Sequence, residues 1–593
     1  MQQDTRNMVV FVIAAAALML VYQVFVLGPA AKTREAAQRA AQIQAAALAK
    51  SPSAPPVAIT LSRGQALEGS PRAPIETPSL KGSIALKGAR FDDLYLTRYR
   101  ETLAKTSPPV DLLRPEGTSF AFFASFGWTG APGLPDANTP WTLAQGSTLS
   151  PGHPLVLSYA SPGGLQFTRT LQVDDQYMFT ISDTVVNQSA DKVTLEPYGT
   201  VQRDGLPPDL FNALNVHQGF VGWLDGSLRQ TGYKDWKKKG QVEFNGTGGW
   251  TGITDKYWMA AIAPDQKETI RATSRVTPSQ NLDIYDSSYL GQARTLQPGQ
   301  QATEVLHLFA GAKTVTLLDQ YTKTLGIPEL ERAVDWGWLR VITRPIFQLL
   351  EFFYHQVGNF GVAIVLLTIC VRLLLFWPAN KSYESTTKMK KVQPELEKIK
   401  ARYKDDPAKA QQETLAFYQR ERINPFLGCI MLLPTLPIFF ALYKVLSVTI
   451  EMRQASFLWV PDLSAPDSTI IWNLFGLLPY DPAALPFIGS FFGPTGMLHI
   501  GIWAILYAFT TWLSQSMTPT TGMDATQKTM MQWMPLIMMV FLARLTVGLL
   551  IYYTWSNLLT LLQQYVIMRR YKVDNPIDSI IARLRGLSHP ASS

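Results

Sequence analysis

The sequence predicts a polytopic α-helical membrane protein with six spans and one large extracytoplasmic domain, an antiparallel β-sandwich. Three observations carry this. Most of residues 358–568 is apolar, in runs near the ~20 residues that a bilayer-crossing helix needs. Residues 60–325 read instead as short alternating strands broken by turn residues, the pattern of a water-facing sandwich. Basic residues gather beside the apolar runs on one side only, which sets orientation by the positive-inside bias. Those flanks account for the net charge of +8, so no sequence-specific nucleic-acid binding is expected.

Each element follows in order. Residues 1–28 form an anchor: after Arg6, positions 8–27 are apolar, longer than the ~7–15 residues of a signal-peptide core. An uncleaved span with its N-terminus in the cytoplasm is expected. Residues 29–58, first rich in Ala and Gln and then in Ser and Pro, make a flexible linker. Residues 59–327 are the sandwich. In Leu165-Gln166-Phe167-Thr168-Arg169-Thr170-Leu171-Gln172-Val173 the apolar residues alternate, Asp174-Asp175-Gln176 turns, and Tyr177 to Ile181 resumes as a strand. A single crossing before this domain places it outside. Over 328–357, Val334, Trp338, Val341, Ile342, Leu349, Leu350 and Phe353 recur at roughly helical spacing, predicting an amphipathic helix in the outer interface or packed on the sandwich.

The second span is 358–378. A basic cytoplasmic hairpin, 379–427, follows, interrupted by Pro394 and turned at Asp405-Asp406-Pro407. The third span is 428–449, and 450–494 is an outer loop. Within that loop 470–492 is apolar enough to mimic a span, but Gly476, Pro479, Pro482, Pro486 and Gly489 break it. The fourth span is 495–517, with 518–528 an inner loop. Arg544 marks a tight outer turn between the fifth and sixth spans, 529–544 and 546–568. The tail 569–593 carries Arg569, Arg570, Lys572, Arg583 and Arg585, whereas the outer loop carries Glu451, Asp462, Asp467 and Asp481 against Arg453. A seventh span puts that basic tail on the wrong side, so the count stays at six.

Enzyme signatures are mostly absent. There is no phosphate loop, zinc helix or nucleophile elbow, and the six histidines form no motif of the kind a sugar epimerase uses. Cys370 and Cys429 lie in apolar segments and read as buried thiols, not as a disulfide or a metal site. The chemistry concentrates at Arg372, a charge inside an apolar run, which costs about 2.5–3.5 kcal/mol on insertion scales. It lies roughly 9 Å from Pro378 at helical rise. Snorkelling to the inner headgroups is the plain alternative. Thr368 one turn away, Thr510, Thr511 and Gln515 in the fourth span, and Gln532 in the fifth point instead to a water-containing groove open to the cytoplasm. Met530, Met531, Met534, Met538 and Met539 form either an adaptable contact surface or an ordinary lipid-facing stripe. Lys388, Lys390 and Lys391 face headgroups, nascent chain or ribosomal RNA, or are simply solvated.

Several motifs then coincide. They are Val371-Arg372 to Trp377-Pro378, Lys388-Met389 to Gln393-Pro394, Asn424-Pro425-Phe426-Leu427-Gly428-Cys429, Pro434 to Pro437 and Ala441-Leu442-Tyr443. Further on come Arg453-Gln454-Ala455-Ser456-Phe457, Asp462-Leu463-Ser464, Gly548-Leu549, Tyr552-Tyr553, Ser556-Asn557-Leu558 and Gln563-Gln564. In this order they resemble the YidC family of bacterial membrane protein insertases, and the outer sandwich resembles the periplasmic domain of its Gram-negative members. The resemblance implies a five-helix insertase core around a hydrophilic groove, with Arg372 as the groove arginine. It implies that the third and fifth spans, through Leu436, Phe439, Phe440, Met534 and Met538, form the slide for substrates. Lys388, Lys390 and Lys391 fall on the hairpin that recruits them. The implied activity is insertion and chaperoning of integral membrane proteins in the inner membrane, alone or with the Sec translocon, with ribosome and lipids as further partners and no cofactor. A secondary transporter is the alternative, but such proteins usually show duplicated halves, and no internal repeat is seen here.

Overall fold

The computed structural model describes residues 61–584, apart from 105, 208–209, 211–215, 279–281, 422, 424–431, 479–481, 483–484, 486–488, 494–495, 497 and 519–524. The expected anchor, the linker up to residue 58, Cys429 and the tail beyond 584 lie outside the described residues. Two units are distinguished, the one chiefly strands and the other chiefly helices.

In the strand unit, alternation becomes burial. Leu165–Val173 turns Leu165, Phe167, Arg169, Leu171 and Val173 inward and the residues between them outward. It pairs antiparallel with Met178–Asn187, and the turn is tied by Asp174 Oδ1, which accepts from the Gln176 and Met178 amides at 2.9 and 3.0 Å. One sheet runs Arg72–Glu76, Leu80–Ala85, Arg90–Arg100, Phe122–Thr129, Val193–Asp204, Asp283–Leu290, Thr269–Pro278, Gln241–Thr247. The other runs Ser227–Gly232, Gly219–Leu224, Trp250–Thr254, Trp258–Ala263, Gln301–Ala312, Met178–Asn187, Leu165–Val173, Leu155–Ala160, Thr142–Gln145. Phe91, Trp128, Phe167, Phe179, Phe220 and Trp250 are buried between them, supplying the large apolar areas that dominate core energetics. Arg169 is buried there as well. It pairs with Asp183, its cross-strand neighbour, and reaches the opposite sheet to donate to the Phe126 carbonyl at 2.9 Å.

The helical unit contains α1 (Arg340–Val357), α2 (Phe360–Leu374), α3 (Phe376–Lys391), α4 (Gln393–Arg402), α5 (Pro407–Arg420), α6 (Leu432–Val448), α7 (Ile502–Ser516), α8 (Ala525–Leu542), α9 (Val547–Arg570) and α10 (Pro576–Leu584). The amphipathic helix is shorter than its sequence pattern: α1 starts at Arg340, after a 3₁₀ turn at Leu330–Ala333. It buries Thr343, Ile346, Phe347 and Leu350, while Trp338 and Val341 are 86% and 88% exposed. The second span also differs from one straight helix. Pro378 has no N–H for the preceding turn, and the chain breaks at Leu375, so that α2 and α3 meet at 68°. No single described helix is both long and apolar enough to cross a membrane, although that bent pair passes together. The 15 residues of α2 and of α7 rise only about 22 Å. In α9 the 24 residues rise about 36 Å, but a row of polar side chains lowers its hydropathy.

Long-range caps set some boundaries. Helix α7 begins at Ile502 rather than at 495 because Gly501 is its N-cap and the first-turn Trp503 amide donates 3.0 Å to the buried Asp467 carboxylate. A Cβ on Gly501 would lie 2.6 Å from that carboxyl. The described residues of 470–492 hold a 3₁₀ segment, Ile471–Gly476, with Leu474 and Phe475 at positive φ, and one turn at Gly489–Phe492. In the hairpin, Asp406 caps α5 by accepting from the Lys409 amide at 3.1 Å, with Pro407 in its first turn. Pro394 similarly opens α4.

Candidate functional site: a polar cleft among α2, α7 and α9

Helix α9 packs against both α2 and α7, and its inward face is polar. Tyr552, Ser556, Thr560 and Gln564 recur every four residues, which keeps them on one side of a helix, and all four are buried. Arg372, half-buried near the end of α2, reaches this face and donates from Nε and Nη2 to the Ser556 hydroxyl at 2.9 and 2.5 Å. Tyr552 lies on the same face, one turn before Ser556. Among the described residues no carboxylate pairs with Arg372. The guanidinium is thus oriented by a neutral group, and N–H donors beyond those two are left for another acceptor.

One residue along α9, Asn557 points to α7 and donates to Thr510 and Thr511 at 3.2 and 2.9 Å. Tyr507 lies one turn before Thr511 on α7, and Tyr507 and Tyr553 meet with ring centroids 6.2 Å apart. Thr511 therefore belongs to the cleft. Gln515 lies one turn further along α7, half-buried. Thr368 is fully buried but spends its hydroxyl on the Ile364 carbonyl of its own helix, at 2.7 Å. Gln532 is exposed on α8. Ser556, Tyr552 and Asn557 are the contributors that an inventory of charged residues misses. Their signal is the four-residue polar spacing inside an apolar span.

The residues expected to form the slide sit on two helices whose described apolar side chains are largely exposed. On α6, Leu433, Leu436 and Phe440 are exposed, while Phe439 packs on the Tyr553 ring with centroids 5.4 Å apart. On α8, Met530, Trp533, Met534, Ile537 and Phe541 are exposed and Met538 is half-buried. The three hairpin lysines differ from one another. Lys388 lies 5.7 Å from the Tyr571 ring centroid, Lys390 is half-buried with Nζ 3.4 Å from the Ser516 carbonyl, and Lys391 is exposed. Cys370 is a free, half-buried thiol. Among the described residues, no cluster of His, Cys, Asp or Glu has the makings of a metal site.

Comparison with known proteins identifies the family. Residues 72–349 match the family model described as YidC periplasmic domain, and residues 352–575 match that of the 60Kd inner membrane protein. The chain is 50% identical over 615 residues to the membrane protein insertase YidC of Caulobacter vibrioides, covering 99% of both, and 41% identical to that of Maricaulis maris, covering 98% of this chain and 99% of the relative. A solved structure described as an active YidC insertase is similar to this chain at 16% identity and a TM-score of 0.35, covering 92% of this chain and 99% of the solved one. With half of its residues identical along nearly its whole length to a member of the group, the chain belongs to the YidC family.

Proposed function

We propose that this chain, a membrane protein insertase of the YidC family, uses Arg372 as a temporary counter-ion for polar or acidic residues of proteins entering the bilayer. The observation that carries the reading is a guanidinium within an apolar helix held by a neutral hydroxyl, with no carboxylate partner among the described residues. A charge at such depth is costly unless it is paired or wet. An incoming carboxylate about 4 Å away gains roughly 4 kcal/mol at an effective dielectric near 20. Once the client's apolar segment partitions into lipid, its acidic tail is free to move outward. The membrane potential adds about 2.3 kcal/mol per charge per 100 mV.

On this reading there are six spans, with the first within residues 1–28 and the other five helices forming the core. Both termini are cytoplasmic and the sandwich is periplasmic. The exposed rows on α6 and α8 support a role for these helices as the surface along which an apolar client segment passes: each is uncovered among the described residues and rich in flexible or aromatic side chains. The hairpin α3–α5 supports recruitment, with the ribosome and the Sec translocon as partners. A photo-crosslinker at Met534 or Leu436 tests this. Capture of nascent membrane proteins is expected, and capture of small solutes alone, or of nothing, overturns it.

A further inference from the structure

We propose that the cavity between the α3–α4 junction and the end of α9 binds the phosphodiester headgroup of an anionic glycerophospholipid from the inner leaflet. The proposal rests on the membrane orientation given above. The cavity measures about 380 Å³ and its polar lining is Lys390, Lys391, Gln393 and Glu397 from one segment and Lys572 and Asp574 from another, with Pro394 and Val573 between them. Three ammonium groups against two carboxylates leave one net positive charge (3 − 2) around a space shared by two distant stretches of chain.

Two of these lysines are held at a cost. Lys390 is half-buried, its one side-chain hydrogen bond is the long 3.4 Å contact to the Ser516 carbonyl, and burial pushes its ammonium below the usual lysine range despite Asp574 nearby. An anion in the cavity compensates that desolvation. Lys572 has φ +54°. It occupies the left-handed position that closes α9, where the Val573 amide bonds back to the Met568 carbonyl at 3.0 Å and the Lys572 amide to Arg569 at 3.1 Å. Glycine usually fills that position in helices that end this way, because it has no Cβ to clash. The surrounding fold needs only the turn, since it is Val573 that packs on the Met517, Leu561 and Met568 cluster. The lysine therefore adds nothing to the cap and delivers an amine to the cavity.

Depth selects the source of the anion. From its outer end α9 rises about 36 Å against a hydrocarbon layer of about 30 Å, which brings Lys572 to the level of the inner headgroups. Basic pockets at that level attract anionic lipids. Gln393, Glu397 and Asp574 are placed to accept from headgroup hydroxyls, as a glycerol headgroup offers and choline does not.

Native mass spectrometry of the full chain, released from nanodiscs containing phosphatidylglycerol, phosphatidylethanolamine and phosphatidylcholine, provides the test. Wild type should retain phosphatidylglycerol preferentially, and Lys390→Met and Lys572→Gly should each reduce that preference about fivefold. Lys572→Gly should do so with an equal or higher melting temperature, because glycine relieves the left-handed strain, so lost binding is not confused with misfolding. Equal retention of the three lipids, an unchanged preference in both variants, or displacement of the lipid by millimolar inorganic phosphate overturns the proposal. Client crosslinking at Met534 reads the insertase mechanism separately, so either reading can fail without the other.

Discussion

Replacing Arg372 by alanine removes the cation from the cleft, and the size of the effect follows from the contacts it makes. The guanidinium directs two N–H groups at a single neutral acceptor, Ser556 Oγ. A hydrogen bond to a charged group contributes about 1.5–3 kcal/mol. A client carboxylate that takes Ser556's place at these two donors forgoes that contribution and gains roughly 4 kcal/mol of its own. The surplus is about 1–2.5 kcal/mol, or about 5–70-fold in insertion rate. Arg372→Ala should slow a single-span client carrying one acidic residue in its translocated tail by that factor, and leave a neutral-tailed client unchanged. Arg372→Lys should retain more activity than alanine, because a point charge supplies most of the attraction. Ser556→Ala should not slow the acidic client, since it removes the competing acceptor and keeps the cation. Protease protection of the tail in proteoliposomes made with the purified variants measures all four rates. If Arg372→Ala inserts the acidic-tailed client as fast as wild type, the counter-ion mechanism is wrong. If it slows both clients equally, Arg372 acts through the fold.

Other consequences are open to measurement. Arg169→Met strands Asp183, whose carboxyl burial already pushes above the usual range, and should cost about 3–5 kcal/mol in urea unfolding. Adding Asp183→Leu should recover most of that loss, and a double variant as unstable as the single one contradicts the assignment. In the same unit, burial and then Glu268 push Glu304 up to about 8, against the opposing pull of Arg294. A carboxyl raised on folding stabilises fully below its unfolded value near 4.5 and loses that contribution as pH rises through about 8, by at most about 1.4 kcal/mol per pH unit. Glu304→Gln should flatten this fall in urea midpoints across that window, and an unchanged slope assigns the pH dependence elsewhere. A Cβ on Gly361 would lie 2.1 Å from the Phe457 ring, so Gly361→Ala should overpack the start of α2 and cost about 1–3 kcal/mol, read as a lower thermal midpoint of the helical signal.

What is legible in the sequence is whatever is decided locally. Asp405-Asp406-Pro407 announces a helix start because the cap, the amide that donates to it and the following proline sit within four residues of one another. The strand Leu165–Val173 is legible for the same reason, since parity alone assigns its faces. That same parity puts Arg169 inside, but nothing nearby names the carbonyl of Phe126 on the opposite sheet as its partner. The start of α7 resists reading from sequence because its cap comes from Asp467, 36 residues earlier in the chain. Hydropathy registers apolar residues at 495–501 but not where the helix begins.

The cleft divides along the same line. Arg372 stands out because its cost in an apolar run is large and independent of context. Ser556 is 184 residues away and uncharged, and a lone serine in a span reads as a small packing residue. Only the repeat through Tyr552, Ser556, Thr560 and Gln564 marks the α9 face that receives the arginine. The neutrality of that face is the point on which the chemistry turns. A glutamate at position 556 would pair permanently with Arg372 and be easy to find in the sequence, but it would also compete with every acidic client for the same cation. A hydroxyl orients the guanidinium and yields to a carboxylate, so the property that hides the site in the sequence is the property that lets it work.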